Sequence, residues 1–361
     1  LWQNFSCKES VRSMTPTRVS ILGATGYGGG ELIRLLSQDP QVRIVHATSR
    51  SKAGTLVGEI HRNLEFRSGL TFDDPSADEL LNDSDFIFGA LPHGASAETL
   101  APLVDRGARV IDLSGDFRLR DAALYQKWYK HEHPRPDLLR SATYGCPEFS
   151  REQIRTARLV ASPGCFATAI NLALLPVAAQ GLIHGAVDVV AMTGSSGSGA
   201  EAQAGTHHPT RAGTLRPYKV LSHQHVPECV QLAREAGSAD LSALYFTPIS
   251  APIVRGILAI ATVPLNRPLS SAEATELYRN FYQHAPYVKL VTSREPECAT
   301  VAGTNYAEVR VRVREDGRLH VSTAIDNLLK GGAGQAVESF YLMTGRDKET
   351  GKPLDWMGMW P

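Results

Sequence analysis

Cys165 stands in SPGCFATA (162–169), directly behind Ser-Pro-Gly and at the head of an apolar, helix-like run, FATAINLALLPVAA. A helix N-terminus carries unpaired N–H groups and a partial positive charge that stabilise a thiolate, and the thiolate is the nucleophilic form of cysteine. Pro163 and Gly164 let the backbone turn sharply and present the sulfur to a ligand. A second chemical group lies in YKVLSHQHVPE (218–228), where His223 and His225 alternate and Glu228 follows. If this piece is extended, the two rings face opposite sides and one of them reaches the sulfur as acid and base; His223 is the first candidate and His225 the second. DLSGDFRLRD (112–121) adds Arg118 and Arg120 just after a strand, where a planar guanidinium can clamp a phosphate or carboxylate.

Upstream of these groups, GATGYGG (23–29) spaces Gly23, Gly26 and Gly29 between a strand, TRVSILGA (17–24), and a helix, GELIRLLSQ (30–38). In that order the backbone N–H groups around Thr25, Tyr27 and Gly28 and the helix N-terminus can receive a pyrophosphate. The next strand, VRIVHATS (42–49), runs into Thr48-Ser49-Arg50-Ser51-Lys52 with no carboxylate to hold a ribose 2′-OH. Hydroxyls and cations there suit a 2′-phosphate, so NADP is expected rather than NAD. A thiol nucleophile beside a nicotinamide points to exchange between the acyl and aldehyde levels through a thioester.

Strand and helix readings continue to alternate through SDFIFGALP, HGASAETLAPLVDRG and ARVIDLS, which argues for a parallel sheet covered by helices. From about residue 185 the strands lengthen and lose most intervening helices. YAEVRVRVRE and GRLHVSTAID flank Asp316-Gly317 as a hairpin. The fold class is therefore α/β: a Rossmann-type dinucleotide-binding domain followed by an α+β domain with a mostly antiparallel sheet. The expected divisions are a tail outside the fold (1–14), the NADP-binding domain (15–161), a catalytic and dimerisation domain (162–327) and a C-terminal helical segment (328–361). GSSGSGAEAQAG (194–205) reads as a binding loop or flexible lid, or equally as a plain linker.

With 361 residues, 37 basic and 37 acidic, the chain has no net charge to draw nucleic acid or an anionic membrane. No apolar run reaches the length of a membrane span. Five scattered cysteines without CxxC spacing indicate neither a disulfide framework nor a metal site, and imply a reducing compartment, the cytoplasm.

From about residue 17 to 345 the chain resembles the N-acetyl-γ-glutamyl-phosphate reductases, relatives of aspartate-semialdehyde dehydrogenase. The matching pieces include GATGYGGGEL, LPHG, DLSGDFRL, WYKHEHPRPDLL, YGCPE, SPGCFATA, TGSSGSGA, YKVLSHQHVPE, PIVRGIL, GTNYAEV and AIDNLLKGGAGQA. The resemblance implies that Cys165 is the nucleophile, that a histidine of HQH is the acid/base, that Arg118 helps to hold an anionic substrate group, and that Asn327 and the Gly194–Gly199 loop, with Ser196 and Gly197, meet the nicotinamide end; Arg211, Tyr218 and Glu228 are expected to bind substrate as well. It also implies a C-terminal helix returning to the nucleotide domain, and a homotetramer. GTHHPTRAGTLRPYKV is similar to relatives acting on aminoadipyl or glutamyl phosphate tethered to a small acidic carrier protein, in which Arg211, Arg216 and Lys219 would help receive the carrier. The acetylated five-carbon substrate comes first, the carrier-linked one second.

Overall fold

The computed structural model describes residues 15–66, 69–347 and 354–355; the expected tail, 1–14, lies outside them. Strands β1 (Thr17–Leu22), β2 (Val42–Thr48), β3 (Phe86–Gly89), β4 (Val110–Asp112), β5 (Thr143–Tyr144) and β6 (Leu159–Ala161) form one parallel sheet in the order β2-β1-β3-β4-β6-β5. Val19 to Leu22 are buried without alternation, as a parallel strand covered on both faces requires. The chain leaves β1 toward β2 on one side and returns to β3 on the other. That reversal opens a crevice at the carboxyl ends of β1 and β3, where helix α1 (Tyr27–Leu36) begins.

Helix α2 (Cys165–Ala179) is buried at every position from Phe166 to Ala178, as its all-round apolar sequence dictates. It packs with α3 (Val226–Ala236) on a second sheet built from β7 (Gly185–Thr193), β8 (Arg216–Pro217), β9 (Leu241–Ser250), β10 (Ile257–Val263), β11 (Val288–Leu290), β12 (Ala307–Val313) and β13 (Leu319–Ile325). The order is β11-β12-β13-β10-β7-β9-β8, with β10 antiparallel to both its neighbours and β12 antiparallel to β13. Two pairs, β7–β9 and β11–β12, are parallel, so the sheet is mixed. α3 lies between β7 and β9 in the chain, and parallel neighbours need such a crossover. The hairpin falls at Asp316-Gly317, where Gly317 takes φ +79° and its amide bonds Arg314 O at 2.9 Å.

Helix α4 (Gly334–Thr344) places Phe340 in one apolar cluster with Val19, Ile21, Phe86 and Phe88, its ring 5.0 Å from that of Phe86. Just ahead of α4, Lys330 is fully buried, with Nζ 2.6 Å from Glu148 and 2.8 Å from Glu338. Burial disfavours the ammonium, but the two carboxylates more than offset it and raise its pKa. Among the described residues no helix is long and apolar enough to cross a membrane, and no cluster of His, Cys, Asp and Glu could hold a metal ion.

Candidate active site

Cys165 is the first residue of α2, with Gly164 as N-cap, and is partly buried. Burial pushes its thiol up to about 11, against the Arg118 charge and a backbone hydrogen bond from Phe166. Burial thus opposes the stabilisation that a helix N-terminus lends a thiolate. Gly331 lies directly against it: a Cβ there would sit 2.9 Å from Cys165 Cβ.

Glu228, without exposed surface, organises this end of α2. Its carboxylate accepts from the Gly164 amide at 3.0 Å, from Tyr144 Oη at 3.0 Å and from Arg118 Nη1 at 3.2 Å. Glu228, expected to bind substrate, is thus held by three donors of the chain. Arg118 also donates from Nε to Ser162 O at 2.8 Å and from Nη2 to Leu113 O at 2.7 Å. Burial disfavours its charge, but Glu228 more than compensates and its pKa is raised. Three of its five N–H donors are thus used, and two remain for the adjoining cavity of about 200 Å³, lined by Arg118, Ser162, Gly28, Asn327 and Gly331. Arg120 turns away to Glu235, 2.8 Å from its Nε, and takes no part.

The histidine segment is a turn entering α3 rather than an extended piece. His225 is the N-cap, Pro227 lies in the first turn, and the His225 amide donates to His223 Nδ1 at 3.2 Å. The two rings lie on one side, 4.5 Å apart, so the expectation of opposite faces is corrected. A Cβ on Gly164 would overlap the His225 ring, which places His225 beside the residue preceding Cys165; its Nδ1 has no partner. His223 packs instead among Phe166, Phe246 and Tyr218. Burial, then His225, lowers His223 to about 2; burial, then the Arg118 charge, holds His225 well below the usual imidazole range. Burial raises the Tyr218 phenol, with Cys165 adding to the effect and Arg211 opposing it. Arg211 donates to Ser250 Oγ and, from Nη2 at 3.1 Å, to Thr193 O and Ala251 O, while its buried Nε has no partner. Arg216, exposed on the short strand β8, donates to Gly205 O at 3.3 Å, and Lys219, exposed just beyond it, donates to Gln224 at 3.1 Å.

At the crevice Gly23 takes φ +79°, and a Cβ on it would meet Ala90 O at 2.5 Å. Gly29 is equally closed, 2.6 Å from Ala24 Cα, whereas Gly26 and Gly28 face space, with nothing nearer than 3.8 and 3.9 Å. Glycines are thus required at 23 and 29 for packing, while Thr25 and the N-cap Gly26 lead into α1, where Tyr27 and Gly28 carry the first amides, which have no intrahelical acceptor. This arrangement fits a pyrophosphate. Ser49, Arg50 and Ser51 follow β2 in an exposed turn, the Arg50 side chain being 90% accessible and 3.9 Å from Asp74. Asn327 accepts the Gly256 amide at 2.7 Å and donates to Ser196 Oγ at 2.9 Å, which joins Ser196 and Gly197 to the cavity wall. Sequence reasoning missed Arg255, which ties Asp326 (2.9 Å) to Glu31 of α1 (2.9 Å), and also His93, Tyr129 and Ser162 around Arg118. LPHG and WYKHEHP, among the pieces carrying the resemblance, were the available signal for two of them.

The chain belongs to the semialdehyde dehydrogenase family: residues 18–157 match its NAD binding domain and residues 165–327 its dimerisation domain. It is an oxidoreductase of the acyl-phosphate reductase kind. It is 38% identical over 351 residues (96% of this chain, 100% of the relative) to the N-acetyl-gamma-glutamyl-phosphate reductase of Methanosphaera stadtmanae. It is 39% identical over 342 residues (93% and 97%) to the LysW-L-2-aminoadipate/LysW-L-glutamate phosphate reductase of Saccharolobus solfataricus. Aspartate semialdehyde dehydrogenase II of Vibrio cholerae shares the fold, with TM-score 0.70 over 92% of this chain and 99% of that one at 18% identity.

Proposed function

We propose that the chain reduces N-acetyl-γ-glutamyl phosphate to N-acetylglutamate 5-semialdehyde with NADPH, through a thioester on Cys165, in arginine biosynthesis. The observation that carries this reading is one cavity lined by Arg118, by Gly28 of the glycine crevice and by Gly331, which lies directly against Cys165. Gly23 to Gly29 would hold the pyrophosphate, Ser49, Arg50 and Ser51 the 2′-phosphate, and Ser196, Gly197 and Asn327 the nicotinamide end. NADPH, when bound, supplies the hydride that takes the acyl group to the aldehyde level.

The chain's own residues do the rest. Cys165 sulfur attacks the acyl carbon while His225 takes the thiol proton; the carbon–oxygen bond to phosphate breaks and phosphate leaves with the electron pair beside Arg118. His225, against Gly164, gives that proton to the substrate oxygen when the acyl carbon is reduced, then moves it from the resulting hydroxyl to the sulfur as the carbon–sulfur bond breaks with its electron pair on sulfur, which frees the semialdehyde and restores the Cys165 thiol. Glu228 positions Gly164 and Arg118 from beneath, and Tyr218 closes the sulfur side with Arg211 behind it. A phosphate-dependent rise in reduced-nicotinamide absorbance with N-acetylglutamate semialdehyde tests the reading. C165S should bind NADP and lose nearly all turnover; substantial residual turnover removes the covalent mechanism.

A second reading keeps the chemistry and changes the amino substituent to an acidic carrier protein. It is favoured by the exposed stretch bearing Leu215 (64% accessible), Leu221 (59%), Arg216 and Lys219, and by 43% identity to a Thermomicrobium roseum protein whose name assigns it to LysW-linked L-2-aminoadipate 6-phosphate. Comparing kcat/KM for the acetylated and carrier-linked semialdehydes decides between them. Assembly into a homotetramer in the cytoplasm completes the proposal.

A further inference from the structure

Tyr129 carries a hydroxyl with no hydrogen-bond partner, although its oxygen is withdrawn from solvent. The oxygen lies against Gly115, where a Cβ would overlap it. Gly115 belongs to the loop that carries Arg118: its carbonyl accepts the Arg118 amide at 3.4 Å, and its own amide donates to His93 Nδ1 at 2.7 Å. The Tyr129 ring meets His93 edge to face at 5.8 Å and stacks on Tyr125 at 4.7 Å. A phenylalanine would reproduce all of this packing. The oxygen contributes a desolvated, unpaired dipole that destabilises the fold until some group accepts its proton. Burial, and then Glu228, raise the phenol above its usual value, so it stays a donor at any working pH.

A donor packed against the Arg118 loop, near enough for the guanidinium charge to act on its phenol, and a guanidinium with two N–H groups to spare suit a tetrahedral dianion that can accept from both. Resting on the acyl-phosphate reading above, we propose that Tyr129 is a further substrate-binding residue whose hydroxyl donates to the phosphoryl group at Arg118. It holds that group as the carbon–oxygen bond breaks and phosphate departs with the electron pair, and in the reverse direction it receives inorganic phosphate. The acyl chain and the dinucleotide do not touch it.

The test compares wild type with Y129F. Without turnover, inorganic phosphate is titrated against thermal stability and against alkylation of Cys165; with turnover, KM is measured separately for phosphate, semialdehyde and NADP. Loss of one charge-assisted hydrogen bond should raise the phosphate midpoint and the phosphate KM about tenfold. The other two KM values should stay within about twofold, and the phosphate-free Tm should hold or rise, because an orphaned oxygen has been removed. A phosphate midpoint shifted less than about twofold, a lowered Tm with all KM values raised together, or no phosphate binding by wild type overturns the proposal. Phosphate binding by wild type without any phosphate-dependent NADP reduction instead sinks the proposed function, and Tyr129 is then judged on the binding arm.

Discussion

Glu228 Oε2 accepts the amide of Gly164 at 3.0 Å, one residue ahead of Cys165, while Oε1 of the same carboxylate faces Arg118 Nη1 at 3.2 Å. One buried anion therefore fixes both the backbone that presents the sulfur and the cation expected to meet the leaving group. E228Q keeps the volume and removes the charge, leaving Arg118 buried without its counter-ion. We expect a loss of about 3 kcal/mol in urea unfolding and of about 100-fold in kcat from the misplaced cysteine. A variant with an unchanged urea midpoint would show that the pair does not organise the site.

The thiol of Cys165 lies at about 11, so alkylation of the free protein should rise with pH well beyond the ordinary thiol value. Iodoacetamide rates measured from pH 7 to 11, with C165S as the blank, check this. A plateau below pH 8.5 would mean that the helix terminus prevails over burial.

His223 and His225 are both held neutral by burial, His223 down to about 2. The unfolded chain binds protons at these imidazoles below about pH 6.5 while the folded chain does not, so stability falls as pH drops from 6.5 toward 4. Each contributes a slope of about 1.4 kcal/mol per pH unit once well below 6.5. Urea midpoints for H223Q should flatten with pH relative to wild type; identical slopes would contradict the buried neutral state. In turnover, H225N should depress the chemical step far more than H223N, because only the His225 ring abuts Gly164. The reverse order would return the acid/base assignment to His223.

Arg50 follows β2 with its side chain 90% accessible, so it has little structural work to lose. R50A should raise KM for NADPH about tenfold through the lost 2′-phosphate contact and leave KM for NADH and the Tm unchanged. Equal effects on both dinucleotides would move the discrimination elsewhere.

Local patterns made much of the fold legible. Strand, glycines and helix from Thr17 to Leu36, the buried run from Phe166, and the Asp316-Gly317 hairpin each need only neighbouring residues, and each lies where periodicity and turn chemistry place it. The mixed character of the second sheet was not legible, because the pairing of β7 with β9 is a choice of neighbour rather than of conformation. Residue types at Cys165, Arg118 and the histidines pointed to the site. Nothing in the local sequence of Glu228 announces its partners 64 and 110 residues away. The histidines were set apart by an assumed strand; Pro227 in the first turn of α3 was the overlooked cue, since proline is favoured there.

Lys330 has a bearing on how the molecule can move. It follows Asn327 by three residues and adjoins Gly331, the floor beneath the sulfur, yet its ammonium is anchored to Glu148 beyond β5 and to Glu338 on α4. Any rocking of one sheet against the other that parted these groups would strand a bare cation in hydrocarbon. Breathing of the cleft must accordingly turn about this residue as an axle, with the distance from the cavity floor to Cys165 the quantity least disturbed.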